Sequence, residues 1–276
     1  MRLLTGGRRT LALLAICGLA LGATACDDDE DNGGNGGVGP EGSANLPTLA
    51  TLKTALSDAQ DQPNGGFGLD MWATVVDRSG IVRAITFTGE KEGDQWPASR
   101  VISAQKANTA NSLSLDGLAL STANLYSAVQ PGGSLFGLQE SNPVNTDAAY
   151  GGNADDYGTA DDYMLGKRIG GVNVFGGGLA LYDNTGVVIG ALGVSGDTSC
   201  ADHNIAWRVR HALGLDFVPA TGVGVNGTDN IVYDIDADGV SASGWGHPSC
   251  PPDPAAVIAL NGTIVEENPV SSVGAD

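Results

Sequence analysis

Two short runs fix most of what this chain can fold into. "LDMWATVVDRSGIVRAITFTG" (69–89) and "VNVFGGGLALYDNTGVVIGALGV" (172–194) each carry two β-rich stretches around a polar turn, DRSG in the first and DNTG in the second. β-Branched and aromatic residues on both sides of an Asp/Gly turn read as a hairpin. Strands that come in hairpins favour antiparallel pairing, with helices laid beside the sheet. Helical spacing fills the gaps. Leu46, Leu49, Leu52 and Leu56 predict a helix over 46–60, stopped by Pro63, Asn64, Gly65 and Gly66. "ASRVISAQKANTANSL" (98–113) reads as a helix of small residues that a backbone or a ligand can approach closely. A further helix is expected at roughly 115–129, running into the glycine turn "QPGGSLFGL". A last one follows the second hairpin, with Ser199 and Asp202 spaced as a capping box and Ile205, Val209, Ala212 and Leu213 as its buried face. The order is helix, hairpin, helix, helix, hairpin, helix, an α+β layered domain.

The ends of the chain carry other information. Arg2, Arg8 and Arg9 precede the apolar run "LALLAICGLALGATA", which stops at Cys26. The run is short for a membrane span and reads as a signal peptide over residues 1–25. The small residues before the cysteine resemble a bacterial lipoprotein signal, with Ala23 where leucine is commoner; the resemblance implies acylation of Cys26 and a membrane-anchored protein facing the periplasm or the cell surface. "DDDEDNGGNGGVGPEGSAN" completes residues 26–45 as an acidic, glycine-rich tether. As a flexible coil, about 20 residues reach on the order of 25 Å. Losing the signal arginines shifts the formal charge from −19 to about −22, which argues against nucleic acid, since phosphate binding needs clustered Lys and Arg. Cys17 leaves with the signal. Cys200 and Cys250 remain as an even pair in an oxidising compartment and are expected to form a disulfide, worth roughly 4 kcal/mol through loop closure.

Several familiar motifs fail on spacing. Gly190, Gly193 and Gly196 do not make a dinucleotide loop. Gly193 and Ser195 begin a nucleophile elbow, but Asp197 stands at its second glycine. No H-E-x-x-H is present, and the absence of C-x-x-C-H excludes covalent c-type heme. "DIDADG" (234–239) opens like a calcium loop, yet Trp245 takes the place of the twelfth-position glutamate, so a solvated acidic turn is the simpler reading. Residues 139–172, with the echo "ADDYGTADDY", are too long and aperiodic for an ordinary connection.

"VVDRSGIVRAITF", "QKANTA", "QPGGSLFGL" and "GGGLALYDNTGVVIGALGVSG" occur in that order over residues 46–214. This succession resembles the GlcG/HbpS family of heme-binding proteins, related to the C-terminal domain of PduO-type proteins. The resemblance implies a profilin-like α/β sandwich around a five-stranded antiparallel sheet, often oligomeric. It makes residues 139–172 an insertion and residues 215–276 a turn-rich C-terminal extension. It also implies heme or a related tetrapyrrole as ligand, for capture, storage or sensing rather than covalent catalysis. Heme needs apolar walls, an axial ligand and places for two propionates. Glycine turns at Gly132 and Gly133 and at Gly176, Gly177 and Gly178 allow a flat ligand close to backbone. Lys106 is the candidate partner for a propionate. His203 is the preferred iron ligand and His247, which a disulfide brings toward Cys200, the runner-up. The family's glycolate-linked members keep a second class open, an enzyme or accessory factor acting on a small oxidised metabolite such as a 2-hydroxy acid. A structural surface lipoprotein is the third.

Overall fold

The computed structural model describes residues 45–273. The expected signal, Cys26 and all but the last residue of the tether lie outside them. The first helix, α1 (Leu49–Gln60), starts one turn later than the leucine spacing alone gives, because Thr48 accepts the Thr51 N–H as its N-cap. The hairpin strands β1 (Trp72–Asp77) and β2 (Val82–Phe87) follow, then the small-residue helix α2 (Ser99–Leu113). After a long irregular stretch containing the short α3 (Thr146–Tyr150) come β3 (Gly178–Tyr182), β4 (Val188–Ser195) and α4 (Ser199–Ala212). A final helix, α5 (Pro254–Glu267), belongs to the extension. No helix among the described residues is long and apolar enough to cross a membrane.

The four strands form one antiparallel sheet in the order β2-β1-β4-β3, so the two hairpins meet through β1 and β4, with Trp72 opposite Ser195. Helices α1 and α4 pack one face through Leu52, Leu56, Ile205 and Val209 onto Val75, Leu179 and Leu192. Helix α2 covers the other with Ala104, Ala107 and Ala110 against Val76, Ile85 and Ala191. Strands β1, β3 and β4 are buried on both faces, which is why they read as apolar runs rather than alternating ones. What approaches the small residues of α2 closely is backbone. A Cβ at Gly193 would lie 1.9 Å from the Ser103 carbonyl oxygen and 2.5 Å from the Ala107 nitrogen, so α2 rests directly on β4 and no side chain fits at 193.

The sheet has four strands, not five. Beyond β3 the chain after α4 begins a pairing: the Tyr182 N–H donates to the Leu215 carbonyl and Tyr182 bridges to Asp216. The Val218 N–H then folds back onto the Asp216 carbonyl, and Pro219 has no N–H to continue a ladder. Thr122 covers the other end of that edge, giving its N–H to the Gly178 carbonyl. The β2 edge is closed by the long 139–172 stretch, where Val82 exchanges backbone hydrogen bonds with Lys167 and Gly166. A buried pair, Arg100 Nε to Asp162 Oδ2 at 3.0 Å, ties that stretch to α2. Each edge is thus covered in part by the chain itself.

The helix expected over 115–129 does not form; two single 3₁₀ turns, Ala123–Leu125 and Ser127–Val129, replace it. Ser121 and Asn124 bond each other's backbone N–H groups, a local alternative that competes with helix propagation. The cap of α4 also differs. Thr198, not Ser199, accepts the Ala201 N–H, and Asp202 turns inward.

The extension is fastened along α4. Cys200 is bonded to Cys250, Arg210 forms a buried ion pair with Asp229, and Trp207 Nε1 donates to the Asn268 carbonyl.

Candidate functional site

An open cleft of about 340 Å³ lies where the start of α2, the end of β4 and the start of α4 converge. Its walls are apolar: Ile102 on α2, and Trp96 and Phe175, which are 53% and 49% exposed although aromatic. Exposed aromatics are not unusual singly, but these two flank one cleft together. Ser99, Ser195 and Ser199 supply hydroxyls, with Ser195 Oγ donating to Ser99 Oγ at 3.2 Å.

The floor is a buried ion pair. Lys106 Nζ lies 2.6 Å from Asp202 Oδ2 and donates to the Val194 carbonyl at 3.0 Å. Asp202 Oδ1 accepts the Asp197 and Gly196 N–H groups, which fixes the strand-to-helix turn. Burial pushes Lys106 down and Asp202 up to about 6, and their mutual attraction opposes both shifts. The ammonium that sequence reasoning offers to a propionate is therefore held by the chain's own carboxylate.

Behind the wall residue Ser199 stands a histidine, His247, that does not itself line this cleft. Ser199 Oγ accepts the Gly176 N–H at 2.6 Å and donates to His247 Nε2 at 2.8 Å. His247 Nδ1 donates to the Pro248 carbonyl at 2.7 Å, which fixes the tautomer and leaves the lone pair on Nε2, toward Ser199. Burial pushes His247 down to about 4, so the imidazole is neutral at neutral pH. The disulfide holds this segment against the first turn of α4, and His247, Pro248 and Tyr233 line a second cleft of about 260 Å³.

His203 is placed differently. It points away from the cleft, fully buried, with Nε2 accepting the Ile231 N–H and lying 3.1 Å from Asn230 Oδ1. Burial pushes it, too, down to about 4. The third histidine, His211, pairs with Asp216 at the other end of α4.

The glycines serve the chain itself. A Cβ at Gly176 would meet the Ser199 carbonyl at 2.3 Å, one at Gly177 the Val194 carbonyl at 2.3 Å, and one at Gly178 the Thr122 side chain at 2.4 Å. Gly177 also needs its φ of +113°. Together they let the entry to β3 press against α2, α4 and β4. Gly132 and Gly133 shape an outlying turn in which Gly133 packs on the Ala128 carbonyl, and neither lines the cleft.

Two other features are satisfied internally. A cavity of about 390 Å³ beside residues 60–69 has its one carboxylate, Asp197, engaged by the Phe67, Gly68 and Leu69 N–H groups. In the acidic turn, Asp236 accepts the Asp238 and Val240 N–H groups and Asp234 accepts from Ser241 and Ser243.

The family described as "haem degrading protein HbpS-like" matches residues 48–210, well over half of the sequence. The chain belongs to that family. The match runs from α1 through α4 and so includes the whole sandwich; residues 215–276, with His247 and Cys250, lie beyond it. Among solved structures, the Klebsiella pneumoniae protein ORFY is 29% identical, covering 60% of this chain and 90% of its own, with a TM-score of 0.41. A PduOC–heme complex is 24% identical, covering 59% and 90%, with a TM-score of 0.42. HbpS is 14% identical, covering 61% and 91%, with a TM-score of 0.38. No curated protein matches the chain.

The Ser199–His247 link escaped sequence reasoning because its partners stand 48 residues apart. The signal available was indirect: a paired Cys250 three residues after His247 brings that histidine to wherever Cys200 lies.

Proposed function

We propose that this protein binds heme, or a related tetrapyrrole, in the cleft between Trp96 and Phe175, with His247 as the iron ligand. The observation that carries this reading is the cleft itself in an HbpS-like chain: half-exposed aromatic walls beside a neutral imidazole whose lone pair points at a wall hydroxyl. Its size is at the low end for a small-molecule site, so the cleft would hold only part of a macrocycle. Trp96, Ile102 and Phe175 hold the apolar edge. His247 is the donor once Ser199 turns aside, and the Pro248 carbonyl keeps its ring oriented. Bound heme supplies an iron for ligand exchange or electron transfer. With Lys106 committed to Asp202, it would not be the partner of a propionate.

His247 replaces His203 as the preferred ligand in this reading, since His203 Nε2 is closed in by Asn230 and Ile231. The role is capture, storage or sensing on the outer side of a bacterial membrane, with a second copy of the chain as one means of covering the exposed part of the ring. The family description favours turnover as a second reading. Hemin titrations of the wild type and of Phe175→Ala with Trp96→Ala test the site: the double variant is expected to weaken binding by about tenfold or more. Equal affinity places heme elsewhere. Decay of the Soret band under air with a reductant would assign turnover, and persistence storage.

Anchoring through Cys26 belongs to the same reading and rests on the signal-like N-terminus. Cys26→Ala protein is expected in the soluble fraction of cells; unchanged detergent partitioning of the variant contradicts the anchor.

A further inference from the structure

Around His247 the chain gathers soft donor atoms that heme binding does not use. Among the described residues, Cys200, His247 and Cys250 are the one trio of metal-capable side chains whose ligand atoms all lie within 4.8 Å of one another. All three are buried. The Pro248 carbonyl oxygen sits among them, 2.7 Å from His247 Nδ1, 3.7 Å from Cys200 Sγ and 3.9 Å from Cys250 Sγ. In the structure the two sulfurs are bonded to each other, so the trio is closed to a metal.

We propose that reduction of the Cys200–Cys250 disulfide converts this cluster into a site for a thiophilic metal ion of the Zn²⁺ or Cu⁺ class, held by the two thiolates and His247. Two thiolates and an imidazole are a soft donor set, suited to these ions and poorly suited to Mg²⁺ or Ca²⁺. A water or the Pro248 carbonyl completes four-coordination. Both sulfurs lie at the N-terminal turn of α4, and Cys250 Sγ already accepts the Cys200 N–H at 3.2 Å, a contact that stabilises a thiolate. The 260 Å³ cleft lined by His247, Pro248 and Ser249 provides an entry path.

The chemistry balances with a dithiol as reductant. The protein disulfide takes up two electrons and two protons to become two thiols, and the dithiol becomes its own disulfide. On binding, the metal displaces the thiol protons to solvent, and the His247 proton moves from Nδ1 to Nε2, where Ser199 Oγ accepts it, so that Nδ1, beside the Pro248 carbonyl, is free to ligate. The sulfurs then separate until each stands at about 2.3 Å from a zinc ion. The fold itself does not depend on the metal, because the sandwich core lies in the other layers.

The test uses the full mature chain, reduced anaerobically with a phosphine, which takes up water oxygen to become its oxide. Co²⁺ serves as the spectroscopic probe. We expect one cobalt per chain with a thiolate-to-cobalt charge-transfer band, displaced by Zn²⁺ and absent from unreduced protein and from Cys200→Ser/Cys250→Ser. His247→Ala should weaken cobalt binding by about tenfold or more while keeping some thiolate character. No thiolate–cobalt band in the reduced wild type, or equal affinity in His247→Ala, overturns the proposal. So does a circular dichroism spectrum in which the reduced chain unfolds and cobalt does not restore it. Heme uptake is assayed on the oxidised protein, so the two readings fail separately.

Discussion

An Asp229→Ala protein is expected to be less stable than the parent by about 3–5 kcal/mol in chemical denaturation. Asp229 comes from the extension and meets the Arg210 guanidinium with both oxygens, at 2.6 and 2.8 Å. Both side chains are essentially inaccessible to water. Removing the carboxylate leaves a cation in a dry site, with only the Ala180 carbonyl to receive one of its N–H groups. That desolvation cost, rather than the attraction of the pair, dominates the loss. The double variant Arg210→Met with Asp229→Leu removes both charges and should regain most of it. A single-variant loss below about 1 kcal/mol would show that the pair is not buried in solution.

Mild acid is the second large effect. His203 and His247 are each pushed by burial from an ordinary 6.5 to about 4. A histidine kept neutral in the fold binds its proton more readily when unfolded, so stability falls as pH drops from about 6.5 toward 4. Each shift corresponds to about 3 kcal/mol. Asp202, raised to about 6 chiefly by burial, works the other way: its folded state holds a proton that the unfolded state releases, so its contribution grows as pH falls from 6 to 3.8. The net loss expected between pH 6.5 and 4 is about 3 kcal/mol. Urea midpoints across that range check it. His203→Gln should flatten the slope, whatever its effect at pH 7. A stability that stays level over the range, with the same slope in the variant, would mean that His203 is solvated.

The two hairpins were legible because their turns carry Asp and Gly at the required places, and α2 and α4 because small or apolar residues recur at helical spacing. The 115–129 region misled because its apolar residues are interrupted by Ser121 and Asn124, whose side chains bond the backbone. The missing fifth strand turns on Pro219, one residue in an otherwise strand-like run. The candidate site was legible by neighbourhood more than by role. Lys106 does reach the cleft, but its partner Asp202 stands 96 residues away and takes the charge. His203 and Ser199 share the first turns of α4, yet they point to different sides, one into the core and one into the cleft. Trp96 and Phe175 gave no signal as site residues, since an aromatic side chain in a sequence is ordinarily read as core; their place on the cleft wall marks them.

The most direct test of the central claim is a hemin titration of the oxidised protein followed by absorbance, at low and at raised salt. The account predicts a saturable Soret shift with one hemin per chain. It predicts little weakening with salt, because a strongly acidic protein repels the propionates at long range and salt screens that repulsion. His247→Ala should lose the signature of histidine-bound iron while His203→Ala keeps it. Absence of a saturable shift in the wild type would contradict heme binding by this protein, and an unaltered spectrum in His247→Ala would contradict the ligand assigned to it.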